Sequence, residues 1–301
     1  LDDSVFNIIE PEYSSSNNVA RSGVLKDKDF ELDVDLQRFW QEAPLVLPEK
    51  VSEDLSKPEL ALLRESVEKE PENIDARVSL IKGLIAHRAY TSADSELIAA
   101  QAINSENGAL SSIQGRLQSD LGDINSAVAA FERAIFLNND LAEPHYLLGN
   151  LRVRQQRLEN AVQCYENAIE RDPGHLKSYY NLAGLHARQT DYGLAISVLE
   201  KGLKELPKEV ELLFQMATVH FIRADYNLAI DLLEKIINID PTRADTYDMV
   251  AQIYMNQNNF EAALKALKRG LTKQPDDRLL TVRMGVLLVQ TGEYHQAIDF
   301  L

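Results

Sequence analysis

At 301 residues and 45% apolar content the chain can bury a large core, yet no apolar run approaches the roughly 18 residues that a membrane span needs. A net charge of −16 argues against sequence-independent binding to nucleic acid, where a basic surface must displace counterions, and against docking on an anionic membrane. The single cysteine, Cys164, excludes an internal disulfide; with no Asn-X-Ser/Thr sequon present, the expected setting is a reducing cytoplasm.

Residues 1–56 stand apart. Thirteen acids against five bases leave this stretch at −8, half the charge of the chain, and SSSNN at 14–18 with Pro11, Pro44 and Pro48 punctuates it. Such composition predicts an acidic, largely irregular segment with a short helix across DVDLQRFWQEA, residues 33–43. Two readings are open for that piece: a solvated tail, or an amphipathic plug in which Phe39 and Trp40 pack on the solenoid or on a partner. The sequence starts at Leu1 and stops at Leu301 within a helical pattern, so it is expected to be a fragment.

LSKPELALLRESVEKEP follows. With Pro58 in an early-turn position and apolar residues at Leu60, Leu62 and Leu63, it predicts one helix that ends before Pro71, the capping helix of a segment 57–73. From there the chain rewrites one phrase at a fixed spacing: YENAIERDP at 165, LEKGLKELP at 199, LEKIINIDP at 233 and LKRGLTKQP at 267, each 34 residues after the last. A period of this size decides the architecture. It sets units at 74–107, 108–141, 142–175, 176–209, 210–243 and 244–277, with an incomplete 278–301.

Each unit contains two helical stretches of about 12 to 14 residues around a short polar turn such as QQR, TD, AD, NN or GE. A bulky residue follows the turn: Tyr90, Ile124, Leu158, Tyr192, Tyr226, Phe260 and Tyr294. Three positions later stands Ala93, Ala127, Ala161, Ala195, Ala229, Ala263 or Ala297. Alanine at one phase throughout predicts a close helix–helix crossing that a larger side chain would hold open. Seven positions further come Ala100, Ala134, Ala168, Gly202 and Gly270, with Ile236 as the exception. The glycines weaken their helices by up to about 1 kcal/mol each, and close approach of the next unit is the simplest compensation.

These positions closely resemble the tetratricopeptide repeat family. The pattern stands as Leu148, Gly149, Ala161, Tyr165, Ala168 and Pro173 in one unit. It stands as Tyr179, Leu182, Ala183, Ala195, Leu199, Gly202 and Pro207 in the next, and as Tyr247, Val250, Ala251, Tyr254, Ala263, Leu267, Gly270 and Pro275 in 244–277. The resemblance covers about 74–301. It implies an all-α fold, a right-handed α-solenoid of stacked helix-turn-helix units whose first helices line a concave face. The family's tryptophan position holds Arg77, Ser111, His145, Tyr179, Leu213, Tyr247 and Thr281, so the units over 74–141 are degenerate.

No catalytic constellation is visible: there is no Gly-rich phosphate loop, no HExxH and no cysteine pair for zinc, so neither a catalytic residue nor a cofactor is expected. His186 and His220 recur one unit apart, where the family usually has Tyr. They either pair on a metal or replace the aromatic in the seam between helices, and the second is preferred. Cys164 beside Tyr165 is expected as a half-buried filler.

By resemblance, the inward positions of each first helix are the second, fifth, sixth, ninth, twelfth and thirteenth of the unit. Tyr146, Tyr180 and Phe214 form an aromatic row there, with Phe221 further along. Asn150, Asn181 and Gln215 supply amides, and Arg116, Arg154, Lys177 and Arg188 supply cations. Aromatic anchors beside such donors are the chemistry of peptide recognition. The alternative is that the aromatics only pack between neighbouring first helices. Glu143 and Glu211 near the rim dilute the basic character.

Two uses known in the family do not fit. A clamp for chaperone C-termini keeps asparagines at Asn150 and Asn181, but Tyr146, Glu211 and Gln215 stand where its cations belong. An asparagine ladder of the O-linked N-acetylglucosamine transferase type fails because the sixth column reads Ser79, Ile113, Leu147, Asn181, Gln215, Met249 and Arg283. The expected function is therefore a protein–protein interaction scaffold that takes a peptide or partner protein in its groove, without nucleic acid or membrane insertion. The alternatives are a substrate-recruiting arm of a larger glycosyl- or sulfotransferase beyond residue 301, or self-association through an uncapped C-terminal end.

Overall fold

The computed structural model describes residues 57–300, and the expected helix at 33–43 lies outside them. Among the described residues there are fifteen α-helices and no strand. A single helix, α1 (Lys57–Lys69), precedes seven hairpins that begin every 34 residues. These pair α2 (Ile74–Ala86) with α3 (Tyr90–Ile103), α4 (Gly108–Asp120) with α5 (Ile124–Leu137), and α6 (Ala142–Arg154) with α7 (Leu158–Arg171). Then come α8 (Leu176–Arg188) with α9 (Tyr192–Glu205), α10 (Val210–Ile222) with α11 (Tyr226–Ile239), α12 (Ala244–Asn256) with α13 (Phe260–Lys273), and α14 (Arg278–Gln290) with the short α15 (Tyr294–Ile298). Each second helix packs on its own first helix, and α3, α5, α7, α9, α11 and α13 also pack on the first helix of the next hairpin.

The turn inside each hairpin has one backbone solution. Its fifteenth residue takes the left-handed conformation: Arg88, Gly122, Gln156, Thr190, Ala224, Asn258 and Gly292 all have φ between 56° and 85°. The following amide then reaches back five residues, as Ala89 N–H to the Leu84 carbonyl and Asp191 N–H to the His186 carbonyl, both at 2.9 Å. This closes the helix C-terminus by satisfying a carbonyl that would otherwise have no partner. Only two of the seven positions carry the glycine that adopts this φ without strain. Thr190, at φ 65°, is β-branched and pays most for it. Thr190→Gly should therefore raise stability by about 1 kcal/mol, read as a higher urea midpoint at unchanged slope; a lower midpoint would show that the turn is not strained.

Size complementarity sets the spacing between helices. The alanine column from Ala93 to Ala297 is at most 2% exposed throughout, which fits the close crossing expected there. A Cβ on Gly202 would sit 2.9 Å from Leu212 Cδ1 on α10 and from Tyr179 Cγ, and one on Gly270 would sit 2.7 Å from Leu280 Cδ1 on α14. Those glycines are therefore required by the approach of the following hairpin.

α1 packs on the first hairpin. Val67 joins the buried cluster of Leu80, Ile81, Leu84 and Leu97, and Leu60 and Leu63 pack against it. Phe136 on α5 is 88% exposed, an isolated apolar side chain on a second helix.

Candidate interaction surface

Successive first helices contact one another at α2–α4, α4–α6, α8–α10 and α12–α14, whereas successive second helices make no comparable contact. The first helices are therefore the closer-spaced layer, which makes theirs the inner side of the curve. Between α6 and α8, and between α10 and α12, direct helix contact is weaker. Long side chains fill those two seams.

In the first seam Tyr146 is 1% exposed. Its ring centroid lies 5.1 Å from that of His175 and 6.1 Å from that of Tyr165, and Lys177 Nζ stands 5.8 Å from it. Behind it runs a buried polar link: Tyr165 donates its hydroxyl to Asn150 Oδ1 at 2.8 Å, and Asn181 Nδ2 donates to the same oxygen at 2.9 Å. Burial pushes the Tyr165 phenol far above its usual range, so it remains a donor at every physiological pH.

In the second seam Gln215 Nε2 donates to the Tyr180 carbonyl at 2.9 Å, and the Arg243 guanidinium lies 4.8 Å above the Phe214 ring. Arg243 is fixed by Glu211 at 2.8 and 3.2 Å and by Asp245 at 2.8 and 3.1 Å. Burial disfavours its charge, but the two carboxylates outweigh that and hold its pKa above the ordinary value.

The residues singled out from the sequence thus divide in two. Tyr146, Asn181, Gln215 and Phe221 are buried, the last with its ring 5.9 Å from Tyr226. Tyr180, Phe214, Asn150, Arg116, Lys177 and Arg188 are half-buried, and Arg154 is exposed. Burial, and after it the charge of Glu211, pushes the Tyr180 phenol up. The aromatic row therefore has one member sealed in the seam and two, Tyr180 and Phe214, partly open to solvent.

Sequence reasoning missed the inter-repeat straps. His175 Nε2 lies 3.2 Å from Glu143 Oε2, the same arrangement as Arg243 with Glu211 two units later. The signal was present: an acid at the second position and a base just before the next unit, 32 residues on. The intervening unit exchanges the signs as Lys177 and Glu209. Burial works against a charged Glu143, but the His175 bond and the charges of His175, Lys177 and Arg116 hold its carboxyl below the usual range.

Ser178 Oγ lies 2.8 Å from His175 Nδ1, so Ser178, His175 and Glu143 form a hydroxyl–imidazole–carboxylate chain. Ser178 is 0% exposed, and no substrate carbonyl reaches its oxygen. His220 is 7% exposed with Nδ1 3.4 Å from Asp225 Oδ2, and His186 is half-buried, its pKa lowered by burial. Among the described residues no three His, Cys, Asp or Glu side chains converge on a metal-sized site. Burial pushes the half-buried Cys164 thiol up, which favours the protonated form.

Three tetratricopeptide-repeat models match the sequence, over residues 113–140, 146–210 and 220–283, together more than half of the chain. The chain is a tetratricopeptide-repeat protein. A search of curated proteins finds none that matches. Among solved structures, this tetratricopeptide-repeat chain is similar to one described as the Pseudomonas aeruginosa pilF protein, with 16% identity, TM-score 0.56, and 68% of this chain and 93% of that one covered. It is also similar to a chain of the APC/C hetero-tetramer Cut9–Hcn1, with 15% identity, TM-score 0.55 and 77% of this chain covered, although it spans only 46% of that chain. A MamA crystal structure aligns at 19% identity and TM-score 0.51, over 57% of this chain and 93% of that one. At these identities the likeness shows the right-handed solenoid fold alone. The matches lend no support to a transferase beyond residue 301. No helix among the described residues is long and apolar enough to cross a membrane.

Proposed function

We propose that this tetratricopeptide-repeat chain is a non-catalytic scaffold whose inner face, centred on residues 142–243, holds an extended or helical segment of a partner protein. The observation that carries this reading is the pair Tyr180 and Phe214, half-open aromatics at the same phase of adjacent first helices. The Arg243 guanidinium stacks on Phe214, and Gln215 ties the backbone carrying Tyr180 to the next first helix. Aromatic side chains, with only two rotatable bonds, bind with little loss of side-chain entropy. Arg116, Asn150, Arg154, Lys177 and Arg188 supply polar contacts around them. Tyr146, Asn181, Gln215 and Phe221 fix the surface from beneath. A reducing cytoplasm suits the protonated thiol of Cys164.

Tyr180→Ala should lower partner recovery on affinity purification of the full chain by about tenfold or more, the usual effect of removing an aromatic anchor, with unchanged far-ultraviolet circular dichroism. Undiminished recovery would remove the inner face from consideration.

Self-association is a second mode favoured by a separate observation. On α14, Leu279, Val282 and Val289 are 44%, 46% and 42% exposed on one face, where the equivalent Glu211 and Phe214 of α10 are half-buried and Phe221 is buried. Sedimentation should show a mass that rises with concentration and a Val282→Asp variant that stays monomeric; a concentration-independent native mass contradicts it.

A further inference from the structure

The 34-residue period does not stop at residue 74. α1 ends at Lys69, one period before Ile103, where α3 ends, and Leu63 falls one period before Leu97 of α3. α1 therefore stands in the phase of a second helix. Every other second helix packs on a first helix of its own hairpin, whereas the stretch that would complete the hairpin of α1 is 40–52, outside the described residues. The leucines of α1 differ from their counterparts accordingly. Leu63 is half-buried, while Leu97, Phe131, Tyr165, Leu199, Leu233 and Leu267 at the same phase are at most 2% exposed. Leu62 is 64% exposed, while Ala130, Leu232 and Ala266 at its phase are buried. Two leucines thus occupy core positions of the repeat without the burial that those positions have elsewhere.

We infer that residues 40–47, WQEAPLVL, fold back on α1 and cover Leu62 and Leu63, which makes this face a docking site for the chain's own N-terminal segment. The repeat phase names the occupant: Val46 and Leu47 fall one period before Leu80 and Ile81, the core pair of α2 that is 2% and 0% exposed. The match is incomplete in an instructive way. Pro44 and Pro48 remove two backbone donors from the stretch, and Glu59 stands where the alanine column would have its member before Ala93. Neither a regular first helix nor a close crossing is encoded there, so what the segment keeps of the repeat is its apolar contact. Burying Trp40, Leu45, Val46 and Leu47 against the two leucines removes apolar surface from water on both sides. The short tether holds the segment at an effective concentration on the order of millimolar, which favours it over a free partner or a second copy. Of the two readings open for Trp40, this one makes it part of a plug on the solenoid, and it stands independently of the inner face.

Trp40 is the only tryptophan of the sequence, so its fluorescence reports the contact in the full chain without a label. The native chain should show blue-shifted emission and weak quenching by acrylamide, both independent of protein concentration. Leu62→Asp should shift the emission to the red and at least about double the quenching constant, with unchanged far-ultraviolet circular dichroism, because a buried carboxylate opens the contact. Glu65→Ala, an exposed position of the same helix, should change neither. If Leu62→Asp disturbs α1 itself, Leu47→Asp decides, since it alters the segment and leaves the helix intact; it should free Trp40 to the same extent. A native Trp40 quenched as freely as in denaturant overturns the inference, as does shielding that survives both substitutions. Shielding that grows with protein concentration overturns it too, and gives the face to a second copy of the chain.

Discussion

Gly149→Ala should destabilise the chain by about 2 kcal/mol, because overpacking a filled site forces off-rotamer side chains or backbone shifts. The added Cβ would lie 2.6 Å from Tyr165 Cε1 and 2.8 Å from Cδ1. The ring cannot swing aside, since its hydroxyl is tied to Asn150 and lies within reach of Asn181. The same phase explains the pairing of sizes through the stack. Gly115 faces Phe131, where a Cβ would also come within 2.6 Å of the ring. At the equivalent positions Ala183, Ala217 and Ala251 accompany Leu199, Leu233 and Leu267, all buried. In these five hairpins glycine thus stands where the partner is aromatic and alanine where it is leucine, while the first hairpin sets Ile81 against Leu97. The double variant Gly149→Ala, Tyr165→Leu should consequently lose less than the two single variants combined, by about 1 kcal/mol or more, in chemical unfolding. Additive losses would mean that the glycine serves some purpose other than making room for the ring.

Asp248→Ala should cost about 3 kcal/mol, the scale of stranding a poorly solvated charge. Asp248 is 5% exposed and receives the Arg283 guanidinium at 2.6 and 3.1 Å, and the Arg283 side chain keeps only 16% of its own exposure. This pair links α12 to α14, so its loss should loosen the last hairpin first, visible as faster amide exchange across 278–298 than elsewhere. Replacing both partners by methionine should restore most of the stability, since an apolar pair needs no compensation. The exposed Glu65–Lys69 pair of α1, at 2.7 Å, is the control: Glu65→Ala should change stability by less than about 0.5 kcal/mol. Equal effects at the two sites would contradict the burial argument.

The stack was legible because its cause is local and repeated. A fixed period, an alanine column and a polar turn each recur at short sequence distance, and a helical hairpin with one apolar side can bury it only against a neighbour. The turn conformation was not legible: Arg88, Gln156, Thr190 and Ala224 give no hint of positive φ, because tertiary packing imposes it on whatever residue falls there. The inner face was legible only by column. Whether Tyr146 or Tyr180 is open to solvent depends on how far apart two first helices stand and on a residue some 30 positions away. His175 closes over the first; among the described residues no ring contact closes over the second. The straps lay in the sequence as an acid and a base 32 residues apart. Reading them as a pair needs the knowledge that the end of one unit meets the start of the unit before it.

The most direct measurement places a photo-crosslinking amino acid at one position per variant in the full chain. Positions 180 and 214 probe the inner face, and 201 and 235, both exposed lysines on second helices, probe the outer one. Partner adducts from 180 and 214 but not from 201 and 235 are the expected result. Adducts confined to 201 and 235 would contradict it and move partner recognition to the other side of the molecule.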